Sequence, residues 1–332
     1  MNSNNHRYII FGAGAVGSTA GGLLALNKKN AVLIGRKEHV QKINKDGLEL
    51  NSYKDSCKVE IASFCSLADI QTQKNDVIIL TVKSQDTPNS LKEIGKHYPK
   101  ETPFISLQNS VLNEPEIVKY FPNCYGGVFR MTTHLLESGI VNFRKVGRII
   151  LGKYPKGRDK FIENVADDLK DSGFDVSVSE DIMNDKWLKL ALNVTSVATG
   201  MFSNPQIDRN LTNQVKIKLL EEIEIVLKSA KIDATPCSSK DKTIQQMIEH
   251  FKKTAAPYKP KIPVYNSTWQ DLQKSKPLEA DYFLGVIIEI AHKNKIRIPV
   301  HEKIMEMCNF LEKNKLNQEY FQQKDIETIL NQ

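Results

Sequence analysis

Six residues near the N-terminus have the types and spacing of a loop that wraps around a pyrophosphate. They are Gly12-Ala13-Gly14-Ala15-Val16-Gly17, and they stand between an apolar strand-like run and a helix-like run of small residues. Glycines allow a tight turn and a close backbone approach to phosphates, while the first N–H groups of the following helix face the anion. We therefore expect dinucleotide binding here. The alternative is a glycine-rich turn with a purely structural role.

The residue type at the end of the second predicted strand indicates which dinucleotide binds. Folds that bind NAD usually have an acidic side chain there, which holds the ribose diol. This chain has Arg36 followed by Lys37. Because a guanidinium attracts the 2′-phosphate that a carboxylate would repel, we predict NADP(H) as the cofactor. The alternative is an ordinary solvated arginine.

A second group of polar residues lies on a predicted helix in the second half of the chain. Lys189 and Asn193 are four residues apart, so they share one helix face and could contact a single small molecule. The alternative is a polar stripe on a solvated face, which Asp185 and Ser196 would continue.

Five segments, in this order, resemble the ketopantoate reductase (2-dehydropantoate 2-reductase) family, and the resemblance covers nearly the whole chain. They are the glycine motif, Leu80-Thr81-Val82-Lys83, Gln108-Asn109, residues 186–193, and residues 266–271 followed by 279–282. The resemblance implies reduction of the keto group of ketopantoate by NADPH, on the way to pantothenate and coenzyme A.

The functional residues of that family can be placed on this sequence one at a time. Lys189 matches the family's general acid. Hydride delivery to a ketone builds negative charge on the oxygen, and an ammonium group can stabilise that charge and donate its proton. Glu279 matches a glutamate that contacts the substrate hydroxyl and the lysine; without the family it would be an ordinary carboxylate at a helix start. The resemblance also implies substrate contacts from Asn109, Asn193 and Ser267, and cofactor contacts from Lys83 and Asn109.

Two positions depart from the family pattern. Ser110 follows Asn109 where the family commonly has glycine, and Val197 stands where many members carry an asparagine in the substrate pocket. Loss of one polar contact changes specificity and leaves the reductase chemistry intact. A reductase of another small 2-oxo acid is therefore a second hypothesis. A third is a non-catalytic NADPH-binding sensor, which need not keep Lys189 and Glu279 together.

Length, composition and charge limit the class of protein. The chain of 332 residues, 40% hydrophobic and 26% charged, is long enough for two domains with separate cores. The net charge of +7 is spread along the chain, which permits anionic ligands and is weak support for nucleic-acid binding. Five cysteines without a C-x-x-C pair, and histidines without ligand spacing, predict neither disulfides nor a bound metal. With no export signal or membrane-length apolar run, we expect a cytoplasmic monomer or homodimer.

Hydrophobic periodicity predicts two kinds of domain. In the first half, β-branched runs alternate with segments long enough for crossovers, which is typical of a parallel sheet covered by helices. Shorter connections between residues 125 and 152 predict antiparallel strands added to the edge of that sheet. From residue 180 onward apolar residues recur at helical spacing, and helices are expected at about 180–198, 213–231, 241–254, 281–294 and 301–314.

We therefore predict an α/β fold with a Rossmann-like NADP(H)-binding domain over residues 1–179 and an all-helical substrate domain over residues 180–332. Between two helices of the second domain, Pro257, Pro260 and Pro263 predict an ordered loop. Because cofactor residues fall in the first domain and substrate residues mostly in the second, the active site is expected in a cleft that closes on binding.

Overall fold

Contacts divide the chain into two units, the first ending at Asp185 and the second beginning at Lys186. The computed structural model describes residues 6–52, 54–254 and 266–331. The predicted fold class, a Rossmann-like α/β domain followed by a helical domain, is confirmed. The three prolines predicted to form a loop lie outside the described residues.

The first unit is built from short strands that alternate with helices. Its strands are β1 (Arg7–Phe11), β2 (Asn30–Ile34), β3 (Leu48–Asn51), β4 (Ser56–Val59), β5 (Ala62–Phe64), β6 (Asp76–Leu80), β7 (Phe104–Ser106), β8 (Cys124–Arg130), β9 (Thr133–Glu137), β10 (Ile140–Phe143), β11 (Arg148–Lys153) and β12 (Asp175–Val178). Its helices are α1 (Ala15–Leu26), α2 (Lys37–Asp46), α3 (Thr87–His97), α4 (Asn113–Ile117) and α5 (Lys160–Asp171), with 3-10 turns at Leu67–Asp69 and Ser84–Asp86.

Eight of these strands form one sheet in the order β12-β11-β8-β7-β6-β1-β2-β5. The central strand β1 pairs in parallel with β2 and β6, so that Phe11 is in register with Ile34 and Leu80. Every residue of β1 and β6 is buried, as expected for parallel strands covered on both faces. The carboxyl ends of these three strands therefore meet at one edge, and the glycine motif begins there.

The prediction of antiparallel strands at the sheet edge is correct for β11 and wrong for β10, and the sequence does not predict β9. β11 pairs antiparallel with β8, whereas β8 itself continues the parallel series beside β7. β9 and β10 leave this sheet and join a separate one in the order β4-β3-β10-β9. The physical reason is their one-sided burial: Val141 and Phe143 alternate with half-exposed residues, so β10 needs cover on one face only.

In the described residues the second unit consists of helices without strands. They are α6 (Ile182–Met201), which starts in the first unit, α7 (Arg209–Ser229), α8 (Ile244–Lys253), α9 (Ser267–Gln273), α10 (Val286–Lys293), α11 (Pro299–Asn314) and α12 (Gln323–Leu330). The sequence did not predict α9 or α12, and the predicted helix at 281–294 begins with a π-helical turn, Asp281–Gly285, before α10.

Polar side chains fix where these helices begin. Thr243 and Gln246 form a reciprocal capping box at the start of α8, and the Asp208 carboxylate accepts the Asn210 N–H at the start of α7. Throughout the described ranges, every helix is either too short or too polar to cross a membrane.

A buried histidine ties the small sheet to α1 and α2. His39 is 5% exposed; its Nδ1 accepts the Gly139 N–H at 2.9 Å, and its Nε2 lies 2.9 Å from Ser18 Oγ. A backbone N–H can only donate, so Nδ1 carries no proton and Nε2–H donates to Ser18. Burial also lowers the pKa of the His39 imidazole below its ordinary 6.5.

We predict that this histidine makes the protein sensitive to acid. As pH falls below about 6.5, His39 of the unfolded chain binds a proton that the folded protein does not, so the free energy of unfolding decreases. Urea unfolding at pH 7.5 and 5.5 should show a smaller pH dependence in His39→Gln than in the wild type. His97→Gln, at a half-buried histidine of α3, is the control and should retain the wild-type dependence. Equal slopes in all three proteins would contradict this role of His39.

Candidate active site

The glycine loop is held between the ends of two strands. The N–H groups of Gly12 and Ala13 both donate to the carbonyl of Ile34 at the end of β2, at 3.0 and 2.9 Å. The Thr81 hydroxyl, just after β6, donates to the Gly12 carbonyl at 2.7 Å. Gly12 has a φ of 112°, a backbone conformation that residues with a Cβ rarely adopt. The loop is therefore set by the sheet edge itself.

The other two motif glycines differ in the space around them. A Cβ on Gly17 would collide with the Gly12 carbonyl oxygen and lie 2.6 Å from Thr81 Oγ1, so the packing of the protein requires glycine there. A Cβ on Gly14 would meet only the Gly12 oxygen, at 4.0 Å. Gly14 is also the N-cap of α1, and because glycine has no side chain it does not cap that helix. Open space beside uncapped N–H groups fits the pyrophosphate of a dinucleotide.

Arg36 and Lys37 are exposed and stand where α2 begins. The backbone before them packs against the glycine loop, because a Cβ on Gly35 would lie 2.6 Å from the Cβ of Ala13. The Arg36 guanidinium thus extends from a point next to the loop that fits the pyrophosphate.

Lys83 and Asn109 follow β6 and β7 and are brought together by their neighbours. Lys83 precedes the 3-10 turn, and the hydroxyl of Ser84 donates to the Asn109 carbonyl at 3.2 Å. Gln85 was not predicted, and its buried Oε1 has no hydrogen-bond partner within the described part of the chain. Its only sequence signal is its position two residues after Lys83. The predicted cofactor residues of the first unit therefore share one sheet edge.

On α6 of the second unit, Lys189 is half-buried and Asn193, one turn later, is 8% exposed. Nδ2 of Asn193 has no hydrogen-bond partner among the described residues. A buried donor left unpaired costs about 1–3 kcal/mol. A ligand oxygen bound beside Lys189 would supply the missing acceptor.

The segment that carries Ser267 packs on the same helix. The Asn266 side chain caps α9 by accepting the Trp269 N–H at 2.9 Å, and it donates to the Ser196 carbonyl of α6 at 2.8 Å. A Cβ on Gly200 would lie 2.7 Å from Thr268 Cβ, so the two helices are in close contact. Ser267 itself is exposed at the first position of α9. Its segment contacts α6 within two turns of Asn193.

Glu279 lies in a different part of the second unit, between α9 and α10. It is 7% exposed and lies just before the π-helical turn, with its carbonyl accepting the Tyr282 N–H at 3.1 Å. π-helical turns occur frequently at functional sites. Val197, the position of the absent asparagine, is 2% exposed, one turn after Asn193.

Comparison with known proteins identifies the family. Residues 8–156 match Ketopantoate reductase PanE/ApbA, and residues 181–312 match Ketopantoate reductase PanE/ApbA C terminal. The chain belongs to the ketopantoate reductase family. A 2-dehydropantoate 2-reductase of Pyrococcus horikoshii is 32% identical over 298 residues, which are 88% of this chain and 93% of that relative. The resemblance seen in the sequence is confirmed.

Solved structures share the fold of this ketopantoate reductase family member. A PanE/ApbA family ketopantoate reductase from Ralstonia eutropha JMP134 has a TM-score of 0.79 at 23% identity, covering 93% of this chain and 99% of that one. A D-mandelate dehydrogenase with NADH and anilino(oxo)acetate has the same TM-score at 24% identity and the same coverage. At these identities the similarity concerns the fold alone, and a fold does not choose between substrates.

The contrast between the two glycines gives a matched pair of variants. Gly14→Ala should leave the melting temperature of the cofactor-free protein unchanged and weaken NADPH binding at least tenfold, because the new methyl occupies ligand space. Gly17→Ala should lower the melting temperature, because its methyl meets the protein backbone. Thermal melts and fluorescence titration with NADPH measure both. Wild-type NADPH affinity in folded Gly14→Ala would contradict the assignment of this loop.

The amide nitrogen of Asn193, which has no partner in the described ranges, gives a second matched pair of variants. Asn193→Leu keeps the size of the side chain and removes the unpaired donor, so the substrate-free protein should melt at the same temperature or higher. Its KM for substrate should rise about tenfold or more, the cost of about one hydrogen bond. The control is Asn204→Leu, which removes an amide bonded to the carbonyls of Glu319 and Phe321 and should lower the melting temperature. A destabilised Asn193→Leu with an unchanged KM would show that the amide is structural.

Proposed function

We propose that the protein reduces 2-dehydropantoate (ketopantoate) to pantoate with NADPH. The observation that carries this proposal is the buried Asn193 Nδ2, which has no hydrogen-bond partner in the described ranges and lies on the same helix face as Lys189. A polar group with this desolvation cost is expected where a ligand completes its hydrogen bonds. Membership of the ketopantoate reductase family and the relative in Pyrococcus horikoshii support the same substrate.

The cofactor assignment rests on the first unit. Gly14 and the uncapped start of α1 would hold the pyrophosphate, and Arg36 with Lys37 would pair with the 2′-phosphate that distinguishes NADPH from NADH. Lys83 and Asn109 would contact the nicotinamide half at the same sheet edge. When bound, NADPH supplies the hydride.

The proton comes from the second unit in this proposal. Lys189 donates a proton to the carbonyl oxygen as negative charge develops there, and its ammonium stabilises that charge before the transfer. Asn193 donates a hydrogen bond to the substrate, and Ser267 donates one to its carboxylate. Glu279 accepts a hydrogen bond from the substrate hydroxyl and, as the family resemblance implies, contacts Lys189.

A second candidate is the reduction of another small 2-oxo acid, which Val197 favours. A buried apolar side chain one turn after Asn193 cannot donate a hydrogen bond, so a substrate without the corresponding polar group would lose less binding energy there.

We further propose that this reaction takes place in the cytoplasm and that the protein is a monomer or a homodimer.

The activity is tested by following NADPH and NADH oxidation with a panel of 2-oxo acids that includes 2-dehydropantoate. We expect the highest kcat/KM for 2-dehydropantoate with NADPH. Faster reduction of another oxo acid would favour the second candidate, and oxidation of neither cofactor would favour the sensor.

The general acid is tested separately. Lys189→Ala should lower kcat about 10²–10⁴-fold and leave the NADPH affinity unchanged, because the lost interaction belongs mainly to the transition state. Lys228→Ala, which removes an exposed lysine of α7, should retain wild-type kcat. A Lys189→Ala enzyme with near wild-type turnover would refute the mechanism.

A further inference from the structure

Two loops at the carboxyl edge of the large sheet are joined by a buried network of polar side chains. One loop follows β6, contains Ser84 and ends where α3 begins at Thr87; the other follows β7, contains Gln108 and ends where α4 begins at Asn113. These four residues are 1–5% exposed. Loops usually lie on the surface, so this much buried polarity in two connecting segments calls for a specific reason.

Several hydrogen bonds between the two loops each have a defined direction. The Gln108 amide N–H₂ donates to the Val82 carbonyl at 3.0 Å and to the Thr87 hydroxyl at 2.7 Å. The Thr87 hydroxyl in turn donates to Asn113 Oδ1 at 2.9 Å. Because Oδ1 is thereby the acceptor, the orientation of the Asn113 amide is determined, and its nitrogen points the other way.

The network ends on the backbone of Asn109. Asn113 Nδ2 donates to the Asn109 carbonyl at 2.6 Å and to Ser84 Oγ at 3.2 Å. The Ser84 hydroxyl donates to the same carbonyl at 3.2 Å. Two donors, one from each loop, therefore hold one oxygen atom. The side chain of Asn109 is left half-exposed at the sheet edge.

The backbone after Asn109 makes this support necessary. Ser110 has a φ of 75°, in the left-handed region that a residue with a Cβ occupies at a cost. Its hydroxyl accepts the Leu112 N–H at 3.3 Å, which offsets part of that cost locally. A turn with a strained residue persists only when its surroundings determine its conformation, and the Asn113 amide bonds to the residue just before the strain.

We infer that Asn113 and Thr87 are positioning residues for Asn109, acting through its carbonyl. The inference rests on the proposed function, in which Asn109 contacts cofactor and substrate. A shift of the Asn109 backbone by about 1 Å would displace its side chain from the reacting groups. A displacement of that size can lower the reaction rate by up to about 10²-fold. Neither positioning residue touches the substrate.

Thr87→Val tests the inference with the least change of shape. It replaces the hydroxyl by a methyl, so Asn113 Oδ1 loses its donor and the amide loses its determined orientation. We expect kcat/KM for 2-dehydropantoate to fall about 10- to 100-fold, whereas Thr87→Ser, which keeps the hydroxyl, should retain most of the wild-type value. Asn113→Asp, which removes the donor to Asn109, should behave like Thr87→Val.

A structural role alone would give a different result. Ser172→Ala is the control, because it removes another buried hydroxyl of the same unit, one that bonds the Asp168 carbonyl at 2.8 Å. It should lower the melting temperature and leave kcat/KM unchanged. If Thr87→Val and Asn113→Asp also lower only the melting temperature, the inference is overturned.

Asn109→Ala separates this failure from a failure of the proposed site. If Asn109→Ala is impaired while Thr87→Val and Asn113→Asp are fully active, the site stands and the positioning role is wrong. If Asn109→Ala itself has wild-type kcat/KM, the role of Asn109 in the proposed function is wrong, and the positioning inference fails with it.

Discussion

The position of the glycine loop at the edge of the sheet is the constraint on which the rest of the first unit depends. The parallel register of β1, β2 and β6 brings three strand ends together, and the loop bonds to two of them, through Ile34 and Thr81. That contact leaves no room for a side chain at Gly17. The Arg36 and Asn109 segments then follow from the same edge, because each comes directly after a neighbouring strand.

Polar groups are buried at this protein's candidate site in two different ways. The chain from Gln108 through Thr87 to Asn113 pairs each of its linking donors internally, which gives rigidity to a strained turn. The amide nitrogen of Asn193 instead has no partner among the residues that the structure describes, which costs stability in the absence of a ligand. A network whose donors are all paired fixes the position of its residues, whereas a donor without a protein partner is available to bind a ligand.

Much of this architecture could be predicted from the sequence, because the glycine motif and the apolar face of α6 are periodic or local signals. β9 is not predicted and β10 is predicted in the wrong sheet, since alternation shows that a strand is half-buried and not what it packs against. The network around Asn113 gave no signal at all: a buried asparagine at the start of a short helix has the same sequence signature as a solvated one. Glu279 was identified through its family, whereas the π-helical turn after it has no sequence pattern.

The central claim is that this chain transfers a hydride from NADPH to the keto carbon of 2-dehydropantoate. The most direct measurement uses NADPH with deuterium at the transferred position of the nicotinamide C4, and mass spectrometry or NMR of the product. The account predicts pantoate with one deuterium on C2, formed in step with NADPH oxidation. Absence of the label from C2, or NADPH oxidation without pantoate, would contradict it.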